Sequence, residues 1–115
     1  MNHIFKEQKV LLLEPEILEA QDLIIYIDDV KNGGTFSVLP YEGMRGGHTV
    51  NMVCQVDRHT WIYGYGVSDQ DLGKRLEARL DRSLFVVGTI ISAFYSVVNE
   101  FSETEFSLRR RYQVK

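Results

Sequence analysis

The sequence predicts an α+β fold: a mostly antiparallel sheet of five to six strands with one or two helices packed on one face. Three observations point there. The first half is a series of short β-branched and aromatic runs punctuated by Pro, Gly and Asn-Gly. The second half opens with Ser68, Asp69 and Asp71, residues that favour a helix start, after which leucines recur four apart. No repeat and no Pro/Gly/Ser-rich linker interrupts the 115 residues, so 1–115 reads as one domain.

The elements follow in order. Val10–Leu13 is a short apolar run stopped by Glu14-Pro15. Leu23–Ile27 has the composition of a buried strand, and Asn32-Gly33-Gly34 tolerates the positive φ of a tight turn. Thr35–Leu39 is then the returning arm of a hairpin, ended by Pro40. Tyr41–Gly47 is a Gly-rich loop. Thr49–Val56 alternates, with Val50, Met52, Cys54 and Val56 on one face. Asp57-Arg58-His59 makes a turn into Thr60–Tyr65, completing an antiparallel meander.

Ser68 caps a predicted helix whose positive end suits Asp69 and Asp71. Its apolar stripe is Leu72, Leu76 and Leu80, with Val67 before and Leu84 after. In Val86–Phe101 the residue types favour a strand and the pattern favours a helix. At 100° per residue, Thr89, Ser92, Ser96 and Asn99 gather on one side, and Ile90, Phe94 and Val98 on the other. The reading chosen is a helix; a strand buried on both faces is the competitor. The predicted core is Leu72, Leu76, Leu80, Ile90, Phe94 and Val98. Phe106 to Val114 alternates and reads as a last strand joining the sheet.

Composition excludes several classes. Hydrophobic residues make up 44% and charged residues 25%, an ordinary globular balance rather than a disordered one. Cys54 is the lone cysteine, so neither an internal disulfide nor a four-cysteine zinc site is available. Met1–Lys9 has no apolar signal-peptide core, and with the lone cysteine this predicts a cytoplasmic protein. The uncharged run between Arg82 and Glu100 is interrupted by a polar stripe, which predicts a core element rather than a membrane span. The net charge is −3, divided as −5 over residues 1–57 and +2 over 58–115. An acidic front half predicts no general nucleic-acid binding and suits a basic protein partner.

Candidate residues fall into two sets. For protein binding they are Asp28, Asp29 and Glu42 from the acidic half, with Trp61, Tyr63 and Tyr65, which alternate along one strand as an aromatic row. For a small ligand such as a phosphorylated nucleotide they are Arg45 and His48 in the Gly-rich loop with Arg109 and Arg111 of the Arg-rich tail. The structural alternatives are a turn loop, a solvated sheet face and ordinary aromatic packing. His3, His48, Cys54 and His59 lack metal-ligand spacing, so neither metal nor cofactor is expected. Without a GxSxG elbow, and with Cys54 on an apolar strand face, the chain does not read as an enzyme.

Residues 67–83 resemble a segment of the immunity proteins of bacterial contact-dependent growth inhibition systems. The matching positions are Ser68, Asp69, Leu72, Gly73, Leu80 and Ser83. The resemblance implies a small cytoplasmic protein that binds and occludes a toxin or effector, with no catalytic residues. A homo-oligomer is compatible with it.

Overall fold

Period-two alternation, not helical spacing, organises the chain. The computed structural model describes residues 11–115, which hold nine β-strands and no α-helix. They are β1 (Glu16–Ile17), β2 (Ile24–Ile25), β3 (Gly34–Val38), β4 (Thr49–Val56), β5 (His59–Gly66), β6 (Leu76–Leu80), β7 (Ile90–Val98), β8 (Thr104–Phe106) and β9 (Arg110–Val114). Short 3-10 turns occupy Ile27–Val30, Asp69–Asp71 and Arg82–Leu84.

Two sheets share the strands. The smaller is antiparallel in the order β1-β3-β6. The larger runs β2-β9-β7-β4-β5, antiparallel except for β2 against β9. One side of β7 is filled along its length by β4; the other is shared by β9 at Ile90–Ala93 and β8 at Ser96–Val98. The inner faces meet in one core. Ile17, Phe36, Val38, Leu76, Ala78 and Leu80 come from the smaller sheet; Val50, Met52, Cys54, Ile91, Ala93, Tyr95 and Tyr112 come from the larger. Burying each large apolar side chain contributes about 1.5–3 kcal/mol. Tyr112 ties the layers directly, since its buried hydroxyl accepts the Ile17 N–H at 3.0 Å.

Both predicted helices are corrected. The start signature is real: the Asp71 carboxylate accepts the Ser68 N–H at 2.9 Å and the Ser68 hydroxyl at 3.0 Å. The helix stops after one turn. Leu72 is already extended at ψ 130, and Gly73 takes φ +79 with open space around it rather than a close packing partner. Leu76, Ala78 and Leu80 then point inward from β6, while Glu77 and Arg79 point out. In Val86–Phe101 a strand forms instead of a helix, but it is buried on one face rather than on both. Its core face is Ile91, Ala93, Tyr95 and Val97. Of the predicted core only Leu76 and Leu80 are buried: Leu72 and Ile90 are exposed, and Phe94 and Val98 lie half-buried on the outer face.

The meander is corrected as well. β4 and β5 form the expected hairpin, but Leu23–Ile27 and Thr35–Leu39 do not pair. After β2 the chain turns through Ile27–Val30, and β3 enters the other sheet. The Asn32-Gly33-Gly34 turn is present: Gly33 has φ +96, and a Cβ there would collide with the Leu80 carbonyl. Val10 lies outside the described residues, and Leu11–Leu13 form no strand.

Candidate functional site

β5 is the distinctive surface. It reads His-Thr-Trp-Ile-Tyr-Gly-Tyr-Gly, eight residues without Asp, Glu, Lys, Arg or Pro. Within the described residues it pairs with β4 alone, so its far side carries unpaired backbone N–H and C=O groups. The hairpin turn holds it in register, with Asp57 at φ 52, a left-handed conformation that Asp tolerates.

Register decides the direction of the side chains. Cys54 lies opposite Trp61, Met52 opposite Tyr63 and Val50 opposite Tyr65, so the aromatic row continues the core face to its rim. Phe36 of the facing sheet packs on Trp61 at 5.8 Å between ring centroids. Trp61 stacks on Tyr63 at 6.3 Å, and Tyr63 meets Tyr65 edge-on at 6.4 Å. At the end of the row the Tyr65 hydroxyl donates to the Asp71 carboxylate at 3.0 Å. Burial, and then this hydrogen bond, push the Tyr65 phenol above its ordinary pKa; the Ser68 N–H in turn holds Asp71 below the carboxylate range. The row is therefore braced at both ends and open in the middle, where Tyr63 is 48% exposed and Ile62, on the opposite face, 63%.

The other protein-binding candidates do not join this row. Asp28 and Asp29 sit on the turn following β2, at the opposite edge of the larger sheet. Asp28 lies 3.8 Å from Lys31, and Asp29 accepts from the Gln21 amide at 3.2 Å. Glu42 lines a cleft with Tyr41, Arg45, His48 and Glu100.

The candidate anion site is not assembled. Arg45 and His48 do come together, each facing the Glu100 carboxylate at 3.7 and 3.8 Å. His48 is buried, and its Nδ1 lies 3.0 Å from the Tyr41 hydroxyl. Burial pushes that phenol up to about 12. Glu103 and Glu105 also line the cleft, so its charge opposes a phosphate. Arg109 is elsewhere, over the Phe94 ring at 4.2 Å and donating to Gln55 and Ser92. Ser92 and Val98, the latter at the His48 end of the sheet, are six residues apart on β7, about 20 Å of strand. Arg111 is exposed on the same outer face, opposite Ser92. The Tyr41–His48–Glu100 arrangement had no signal in the sequence, because Glu100 comes from a segment about fifty residues beyond the loop that holds Tyr41 and His48.

No group of three or more metal-ligating side chains occurs among the described residues. Burial pushes the Cys54 thiol up to about 12, which leaves it an inert core residue. No helix of the described residues is long and apolar enough to cross a membrane. No family model, curated protein or solved structure matches this chain.

Proposed function

We propose that the protein is a protein-binding module whose partner adds an extended segment to the open edge of β5. One observation carries this reading. An eight-residue edge strand with no charge and no proline lacks the devices by which sheet proteins keep other chains away. Strand addition would satisfy its backbone groups, while the Tyr63 ring on one face and Ile62 on the other would set side-chain preference. A tyrosine and a tryptophan held by packing are also typical anchors of a binding interface. Neutralisation of a toxin or effector, as the residue 67–83 resemblance implies, is one use of such binding, and the −3 net charge suits a basic partner. The nucleotide alternative is not favoured, because Arg45 and His48 face Glu100 and stand apart from Arg109.

The test begins with capture of partners from the native host and purification of the complex. Hydrogen exchange should show the β5 amides slowed in the complex, and Ile62→Lys with Tyr63→Lys should weaken binding at least about ten-fold. A complex that leaves β5 exchange unchanged and tolerates both substitutions would refute the reading.

A further inference from the structure

We propose that a cavity at one end of the two sheets binds a small planar organic cation, of the amidinium or guanidinium class. The cavity measures about 510 Å³ and lies where the β4–β5 turn meets the Arg82–Leu84 turn and the segment leading into β7. That volume falls within the range of small-molecule sites, about 300–1,000 Å³. This inference does not depend on whether β5 receives a strand.

The walls are apolar and the rim is acidic. Val56, Trp61, Leu84 and Val86 supply the walls, and Asp57 and Asp81 supply carboxylates. Among the described residues no Lys or Arg lines the cavity, and His59 is its one basic side chain. The Asp57 carboxylate has no hydrogen bond or ion pair within the described residues, so it is available to a ligand. Asp81 accepts from the Ser83 hydroxyl at 3.0 Å through one oxygen, which orients the carboxylate and leaves acceptor capacity on it.

Trp61 adds the third element. Its ring is held between Phe36 at 5.8 Å and Tyr63 at 6.3 Å, yet it remains only half-buried. An indole fixed by this packing lines the wall, and the carboxylates of the rim offer charge-assisted hydrogen bonds to a cation beside it. Phosphates and carboxylates are disfavoured by the same rim. Aliphatic ligands without charge would use the walls but leave the carboxylates unmatched.

Trp61 is the single tryptophan of the chain, so its emission reports on this cavity directly. Three probes of one shape separate the contributions: benzamidine is cationic, benzamide neutral and benzoate anionic. The expected result is a saturable change with benzamidine, at least about ten-fold tighter than benzamide, and none with benzoate. Asp57→Asn with Asp81→Asn should erase the preference while leaving benzamide binding unchanged. Asn tolerates the left-handed turn at residue 57 and retains an acceptor for Ser83 at residue 81. Val86→Lys, at an exposed position of the wall, should abolish benzamidine binding by placing a like charge there. Benzamidine that fails to saturate, that binds no tighter than benzamide, or that keeps its preference in the double variant would overturn the proposal.

Discussion

β6 and β5 are both edge strands, and what each presents to solvent is opposite in kind. β6 shows Glu77 and Arg79, with Arg75 at its entry and Asp81 at its exit. Its sheet carries a polar lattice on the outer face: Arg75 bonds Glu16 at 2.7 Å and Ser37 at 2.9 Å, and Arg79 bonds Thr35 at 3.1 Å. Thr35 is held in turn by both oxygens of Glu19. β5 shows no charge at all, and presents Ile62 and Tyr63. The remaining outer strands among the described residues, β1, β2 and β8, are two or three residues each, too short to template another chain. Charge or shortness thus sets the other outer strands of the described residues apart from β5.

The comparison can be broken at its base by removing an inward side chain of β6. Leu76 is fully buried, and Leu76→Ala should cost about 2–5 kcal/mol in urea unfolding. Tyr63→Ala, on the open row, should cost about 1 kcal/mol or less. Equal costs would mean that the aromatic row is core rather than a surface kept for contact.

Alkaline pH tests the buried phenols that lie away from both edges. Burial raises Tyr41 and Tyr95 from the ordinary 10.0 to about 12. The folded state therefore holds these protons where the unfolded chain has lost them, and stability falls as pH rises from 10 to 12. The urea midpoint should drop across that window, and Tyr95→Phe should make the drop shallower. A midpoint that stays flat would show these phenols to be solvated.

A smaller effect is expected at the polar lattice. Arg75 and Glu16 are partly exposed, so Arg75→Ala should cost about 0.2–1 kcal/mol, with the loss shrinking as salt is added. A cost of several kcal/mol would show that the lattice supports the smaller sheet rather than only guarding it.

The smallest effect is expected at Asp28 and Asp29, far along the sheet from β5. Asp28→Lys with Asp29→Lys should leave the dissociation rate of a β5 partner unchanged, and any change in association rate should vanish in high salt. A faster dissociation would move the contact surface to the β2 edge and remove the distinction between the two edges.

Much of the chain was legible residue by residue. β4 has the bounds expected of it, and β3 and β5 differ by a residue at each end, because alternation, β-branched content and Gly turns act over a few residues. The aromatic row was legible for the same reason: residues two apart on a strand share a face. The start signature at Ser68 was also correct, for the one turn it controls. What misled was spacing by four. Leu72, Leu76 and Leu80 fit both one helical turn and two strand repeats, and the alternation Leu76-Glu77-Ala78-Arg79-Leu80 was the finer signal.

Residue order by itself thus determined part of the local material: the extended runs β3, β4 and β5, the turns beside them, which rings lay in a row, and that β5 carried no charge. Only the tertiary structure decided that β7 is the central strand, flanked by β4 on one side and by β9 and β8 on the other. On the outer face of β7, Arg109 lies across Phe94 and covers part of that ring. The tertiary structure also decided that β5 is an edge, that Asp28 and Asp29 lie at the far side, and that Tyr41, His48 and Glu100 meet. The physical reason is range. Periodicity and turn chemistry are set by neighbours along the chain, whereas edge or centre depends on which distant segments supply the hydrogen bonds that complete a sheet.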